Sequence, residues 1–569
     1  MPTARSLSTT SDKNRPGVRG KPPHAAAPLR NVYIEPLTTY QTNMSQQMRQ
    51  RRGQPLFILD EDTERTRGKD AQSSNITAGK AVSESVRTTL GPRGMDKMLV
   101  SDSGDVVITN DGATILREMD IEHPAAQMIV EVAETQEEEV GDGTTTASVL
   151  AGQLLAQAED LLDDDVHPTT IVEGYQRAAE FALEAIEEQA LADDVDDEEL
   201  AAVAESSMTG KGTGDIDAAA LAETIVDAIR QVQTDAGVDR DAITIRTQTG
   251  PGASATELVQ GVISEEEPLH EEMPRDLTDA TIAVLDLDLE VREAEIDAEY
   301  DISSVDQLNA ALEAEESELR GYAETVADAG VDVAFLTGDV EDVVGSYLAQ
   351  DGVLAFDSVD DDEARSVARA TGAGTVGTLD DLSTDVLGEA DSVSVERFGD
   401  DELAFIEGGA AAETVTVFAR GGTEHVADEL ERALSDALEV ATVALDAGGV
   451  VPGAGATEIA VADHIRASSA SVEGRRQLAI DAFADAVDVL PRTLAENTGM
   501  DPIDALVDLR STHDSEGRAG LISEGQTGHV GDPVEHGILD PAVVKREAVE
   551  SATEAATMIA RIDDVISAE

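Results

Sequence analysis

The 569 residues carry a formal charge of −79, from 118 acidic against 39 basic side chains, with no cysteine, no tryptophan and 2% aromatics. This excludes nucleic-acid binding through a basic face and any thiol or disulfide chemistry, and leaves a core of Ala, Val, Leu and Ile. The length is about three or four domains' worth, no apolar run approaches the ~18 residues of a membrane span, and no secretory apolar region is seen, so a cytoplasmic protein without membrane contact is expected.

The acidic residues are spread along the whole chain, which reads as a solvated surface rather than a binding patch. Such self-repulsion weakens a compact state at low salt and is screened at molar salt, so the composition suits a salt-rich cytoplasm. Only seven lysines remain: Lys13, Lys21, Lys69, Lys80, Lys97, Lys211 and Lys545. In so lysine-poor a chain, a retained ammonium marks a specific job.

In chain order, residues 1–43 stand apart. Arg5, Lys13, Arg15, Arg19, Lys21 and Arg30 outnumber Asp12 and Glu35, prolines are frequent, and periodicity is absent; a disordered basic extension is expected, with Met44 or Met48 as candidate true starts. Residues 54–190 alternate helical stretches with sharp Gly turns. TTLGPRGMDKMLV (88–100) places Gly-Pro and Arg-Gly turns after a helix, and SGDVVITNDGATIL (103–116) reads as a hairpin, with a strand over 106–109 and Asn110-Asp111-Gly112 as its turn signal.

GDGTTTA (141–147) then interrupts two helical patterns. Ala125, Met128, Ile129, Val132 and Ala133 repeat at helical spacing before it, and ASVLAGQLLAQAEDLL follows. Glycines let backbone approach a ligand, and the N–H groups opening the second helix attract an anion. Asp142 would repel a bare phosphate but suits a divalent cation bridging to phosphates, while Thr144, Thr145 and Thr146 can cap and donate. Taken alone, the string reads equally well as a Gly-broken helix pair with a threonine cap. The Gly-Lys-Ser/Thr ending of a Walker A loop is absent.

Residues 195–262 are mixed, with TGKG (209–212) in a loop. From 264 to 410 strands and helices alternate, as an inserted α/β domain would: ATIAVLDLDL (280–289), DVAFLTG (332–338), a helix through VEDVVGSYLAQ, and GVLAFDSV (352–359). Within it, 302–330 reads as a long amphipathic helix with Ser304 and Gln307 as a capping box and Val305, Leu308, Leu312, Leu319, Tyr322 and Val326 on one face. From 423 onward helices dominate, so the outer segments are expected to form one discontinuous domain around the insert.

LGPRGMDKML, TNDGATIL, IEHPAAQM, GDGTTTA, ENTGMDPIDAL (496–506) and ATEAATMIARIDDVI (552–566) occur in order. Together they resemble the group II chaperonins, the archaeal thermosome and its eukaryotic cytosolic relatives, over about nine-tenths of the chain; the acidity points to a halophilic archaeal version. The resemblance implies an α-rich multidomain α+β chaperonin fold: a discontinuous helical equatorial domain (44–194 and 453–569), a small intermediate domain (195–263 and 414–452), and an inserted α/β apical domain (264–413) with a helical lid protrusion at about 297–330.

It also implies an ATP site. Thr89, Leu90, Gly91 and Pro92 match the first nucleotide-contacting turn, Asp142 the magnesium ligand, and Gly143, Thr144, Thr145 and Thr146 the phosphate cradle; Asn110 is expected to bind the nucleotide with them. Asp540 matches a carboxylate near the ribose, where many relatives have Glu, and 450–458 the loop beneath the adenine. That loop departs from the usual three glycines, with Gly453-Ala454-Gly455. Asp436 matches the catalytic aspartate, Asp111 a second carboxylate beside it, and Lys211 a loop that senses the γ-phosphate. For Asp436 a solvated helix face is the alternative on composition alone. The resemblance implies ATP and Mg2+ as cofactors, with K+ as a further candidate. It implies non-native client proteins, and ring partners that are copies or paralogues, eight per ring. A small-substrate ATPase or kinase lacks a second catalytic constellation here, and an inert scaffold would not need Asp111, Asp142 and Asp436 together.

Overall fold

The computed structural model describes residues 64–567 except 102–103, 105, 192–194, 212–216, 235–236, 251–255, 292–304, 400, 410–413 and 525–526. The basic extension, Met44, Met48, Ser304 and the side chains of Val305 and Leu308 lie outside the described part. The architecture is helix-rich α+β, and no described helix is long and apolar enough to cross a membrane.

The chain opens with α1 (Lys69–Val86), α2 (Gly112–Arg117), α3 (Pro124–Val140), α4 (Thr144–Asp163) and α5 (Pro168–Gln189). Two of them start the same way. His123 and His167 accept the N–H two residues ahead, and a proline occupies the first turn, where its missing N–H is harmless. The strand over Val106–Thr109 exists, but its partner is Lys97–Val100, which precedes it, and not a strand after 110–112. Asn110-Asp111-Gly112 is instead a strand-to-helix turn: Asp111 caps α2 by accepting the Thr114 N–H at 2.6 Å. The same residue types serve both jobs, and only the helix that follows distinguishes them.

Next come α6 (Asp197–Met208), with an Asp196/Glu199 capping box, and α7 (Ala218–Val232). α7 packs on a three-stranded sheet in which Val415–Gly421 lies between Ile243–Thr249 and Glu257–Val259, and α6 packs on α7. The inserted segment builds a larger sheet with the order Leu354–Phe356, Val333–Leu336, Asp276–Leu285, Gly388–Phe398, Asp401–Glu407, Gly261–Ser264. Its first three strands are parallel and packed on both faces, which is why they read as continuous apolar runs rather than alternations. Phe335 and Phe356 stack at 4.9 Å within it.

Three helices flank this sheet: α8 (Val305–Asp328), α9 (Asp342–Asp351) and α10 (Asp361–Thr371). On α8 the expected apolar stripe is only half used. Leu319 and Val326 are buried with Ala323, Tyr322 is half-buried, and Leu312 is 53% exposed. Periodicity alone could not place that boundary, because the pattern continues past the end of the surface it packs on.

After α11 (Glu424–Ala447) the chain adds α12 (Ala456–Ser469), α13 (Arg476–Val487), α14 (Val489–Asn497), α15 (Pro502–Glu516) and α16 (Ala542–Ala560). Residues from α1 to α5 and from α12, α13, α14 and α16 share one apolar core, including Ile129, Leu154, Ile480 and Ala556, while α15 packs on a smaller cluster with Ile459, Ala495 and Leu521. A second core joins α6, α7 and α11, and a third fills the inserted sheet. Alanine supplies much of the first, and its large members are few; Tyr175 meets Phe483 edge-on at 5.7 Å and donates its hydroxyl to the Leu154 carbonyl at 2.8 Å.

Candidate functional site

The α3–α4 turn is built from two left-handed glycines, Gly141 (φ 67°) and Gly143 (φ 82°), with Asp142 between them. Asp142 Oδ1 accepts the Gly143 N–H at 2.7 Å, and its carbonyl accepts from Gln136 Nε2 at 2.8 Å. No side chain at the helix start caps α4, so its first N–H groups and its dipole face the turn. Gly141 also admits a neighbour: a Cβ there would stand 2.0 Å from Glu439 Cγ on α11.

The α2 start packs onto α4. Asp111 Oδ1 accepts from Thr144 Oγ1 at 3.2 Å, and Gly112 leaves room for Thr145. Thr89 Oγ1 lies 3.3 Å from Thr145 Oγ1, and the following turn, with Gly91 at φ 85°, is fastened by Asn497, which donates to the Leu90 carbonyl at 2.8 Å. Asn110 donates to the Gly210 carbonyl at 2.8 Å, tying the loop after α6 to this corner. From that loop Lys211 donates to Asp436 of α11 at 2.5 Å. Gly212 of TGKG lies outside the described residues.

These groups surround a cavity of about 400 Å³, within the range of small-molecule sites. Thr89 to Pro92, Asn110, Asp111, Asp142 to Thr146, Lys211, Ala454, Gly455 and Asp540 all line it. Gly453 does not, but sits where a Cβ would be 3.1 Å from Asp540 Oδ2. Asp436 reaches the cavity through Lys211. Lys97 lies on the hairpin and takes no part in the lining.

The charges are tightly arranged. Burial raises the carboxyl of Asp142 above its usual range, Lys211 opposes this, and Asp540 and Asp436 add to it. Asp436 is likewise raised, first by burial and then by Asp111 and Glu439, against the pull of Lys211. For Lys211 burial favours the neutral amine, but Asp436, Asp142 and Asp111 outweigh it and keep the ammonium charged. No cluster of three or more His, Asp or Glu suited to a metal occurs among the described residues. A cation here would therefore take most of its oxygens from ligand and water, as Mg2+ does, and Asp142, with Oδ1 committed to its own turn, fits as its protein ligand.

The loop beneath the cavity answers a question that composition left open. Ala454 has φ 56°, so its position does require the left-handed region. A Cβ there costs about 1–2 kcal/mol, and the loop is held regardless by the Leu521 N–H donating to the Ala454 carbonyl at 2.9 Å. Ala454→Gly is expected to stabilise the subunit by about 0.5–1 kcal/mol, the strain relieved less glycine's extra chain entropy. Denaturant unfolding at high salt measures it, and an unmoved or lowered midpoint counts against the strain.

Sequence reasoning gave no role to Lys545 and overlooked Glu458. Lys545 Nζ contacts Glu458 Oε1 and Asp540 Oδ2, each at 2.8 Å, on the cavity wall. The scarcity of lysine was the available signal; the partner was invisible because 87 residues of chain separate the two positions.

Residues 82–569 match the TCP-1/cpn60 chaperonin family. The chain is 64% identical to thermosome subunit 3 of Haloferax volcanii over 92% of its own length and 100% of that protein. It is 51% identical to thermosome subunit alpha of Halobacterium salinarum, over 92% of this chain and 93% of the relative, and 50% identical to the thermosome subunit of Methanopyrus kandleri, over 91% and 95%. A family match over residues 82–569, with 64% identity to a thermosome subunit over 92% of the chain, makes the protein a member of the TCP-1/cpn60 chaperonin family.

Proposed function

We propose that this ATP-hydrolysing chaperone binds Mg-ATP in the cavity described above and that Asp436 completes the hydrolytic site from α11. The observation that carries the reading is the 2.5 Å Lys211–Asp436 contact beside the Asp142–Thr146 turn, where helices from two different cores meet at one cavity. The α4 start and Thr144, Thr145 and Thr146 would hold phosphate oxygens, the Thr89–Pro92 turn would close over them, and the Gly453–Gly455 loop would underlie the base. Asp540 would face the sugar. Asp142 would hold Mg2+, which when bound would supply positive charge against the phosphates; K+ is a second candidate ion.

In this reading Asp436 orients the attacking water and receives its proton, and Asp111 supports it while capping α2. Lys211 holds Asp436 and offers its charge to the terminal phosphate. Because Asp436 and the cradle belong to different cores, hydrolysis becomes competent only when α11 seats on the α3–α4 turn, which Gly141 permits.

The three largest cores correspond, in this proposal, to equatorial (44–194, 453–569), intermediate (195–263, 414–452) and apical (264–413) domains, with α8 belonging to the helical lid protrusion at about 297–330. Double rings of eight subunits, shared with copies or paralogues, would enclose non-native proteins in the cytoplasm; Haloferax volcanii has at least three thermosome subunits similar to this chain.

Asp142→Ala tests the site. It should weaken Mg2+-dependent ATP binding by at least about tenfold, since it removes a direct ligand, and leave the weak Mg2+-free binding nearly unchanged. Calorimetric titration with and without Mg2+ reads both, and equal affinity of variant and parent for Mg-ATP would overturn the assignment.

A further inference from the structure

Lys545 has no part in the reading above, yet it is among the most deliberately placed charges in the molecule. It lies in the first turn of α16, directly after the Leu539–Pro541 strand that carries Asp540. Its Nζ donates to Asp540 Oδ2 and Glu458 Oε1, and its side chain is 15% exposed. One ammonium thus ties α12, α16 and the strand together. Burial disfavours the charged form, but the two carboxylates outweigh it and hold the lysine above its usual range.

The consequence falls on Asp540. Its Oδ2 is enclosed by Lys545 on one side and by Gly453 on the other. Its Oδ1 has no partner among the described residues, and the residue lines the cavity. Glu458 Oε2 is also buried without a donor, so without the ammonium two carboxylates would face one another across the wall. A carboxylate immobilised in this way loses no rotamer freedom when it accepts a hydrogen bond.

We infer that Lys545 is a positioning residue that sets sugar selectivity: it pins Asp540 through Oδ2 and so aims Oδ1 at a hydroxyl of the nucleotide sugar, favouring ribonucleotides over deoxyribonucleotides. The inference rests on Asp540 being the sugar-side carboxylate. The discrimination arises because a nucleotide lacking that hydroxyl leaves a buried, oriented acceptor unpaired. Lys545 touches no reacting atom and acts only through Asp540.

The test is steady-state hydrolysis of ATP, 2′-deoxy-ATP and 3′-deoxy-ATP by the assembled protein at high salt. The parent should prefer ATP over one of the deoxy forms by about tenfold in KM, the worth of one hydrogen bond to a charged group. Lys545→Met should abolish most of that preference and raise KM for ATP far more than it lowers kcat, and Lys545→Arg should restore the preference. Since Lys545→Met leaves two carboxylates unneutralised, Lys545→Met with Glu458→Gln keeps the cluster's net charge and should lose the preference equally. Asp540→Ala separates the two levels. If it removes the preference while both Lys545 variants keep it, Lys545 is not the positioning group. If Asp540→Ala keeps the preference, the sugar-side assignment itself is wrong. An equal loss of kcat on all three nucleotides in the Lys545 variants, with the preference intact, would show a merely structural role.

Discussion

Asp436→Ala should lower ATP turnover by at least about 100-fold while nucleotide binding persists. The groups that would bind the nucleotide sit on the α3–α4 turn, the Thr89–Pro92 turn and the 453–455 loop, whereas Asp436 comes from α11 and meets them only through Lys211. Removing it deletes a proton acceptor without disturbing the cradle. Asp436→Asn keeps the shape and loses the basicity, so it should fail as badly, which separates chemistry from packing. Parent-like turnover in either variant would end the assignment. The pH dependence has a definite sign. Burial, Asp111 and Glu439 raise the Asp436 carboxyl against the pull of Lys211, and the role requires it ionised. Turnover should therefore be present at high pH and be lost as pH falls through a value above the ordinary aspartate range of about 3.9.

Lowering salt should dissolve the rings before it unfolds the subunit. Each subunit carries −79, and ring contacts bring such surfaces within a few ångströms, where unscreened like charges repel most. At ~0.1 M salt the Debye length is about 10 Å, wide enough for whole faces to repel; at 1 M it is about 3 Å. The fold has a second line of support that assembly lacks. Its three largest cores bury Ala, Val, Leu and Ile away from charge, and apolar burial does not depend on charge screening. Exposed ion pairs such as Arg177–Glu180 add little to either. Added Mg2+ should partly rescue the rings by screening carboxylates at lower ionic strength than a monovalent salt does. Sedimentation and circular dichroism on one dialysis series measure both transitions. Rings that outlast the fold, or assembly indifferent to salt, would contradict the argument.

Much of this was legible without coordinates because it is written in local chemistry. Glycine punctuation marks the α3–α4 turn, continuous apolar runs mark the buried parallel strands, and family membership follows from six ordered motifs. Charge, likewise, is a property of composition, and so is a core made almost without aromatics. Where local chemistry was ambiguous, reading the sequence went astray: Asn110-Asp111-Gly112 carries a hairpin signal but begins a helix. The long helix expected over 302–330 is present as α8, but its stripe runs past the surface it covers, leaving Leu312 in solvent.

Tertiary structure alone decided the features that depend on groups distant in the chain. Whether Ala454 is strained depends on the φ that its loop must adopt to meet Leu521. Why residue 141 must be glycine depends on Glu439 arriving from another core. Lys211 finds Asp436 225 residues away, and Lys545 finds Glu458 across the cavity wall. Backbone propensity and hydrophobic period act over a few residues and can be read from the chain. The pairing of buried charges is settled by which surfaces pack together, because an ammonium or carboxylate removed from water is tolerated only where a partner of opposite sign has been brought to meet it.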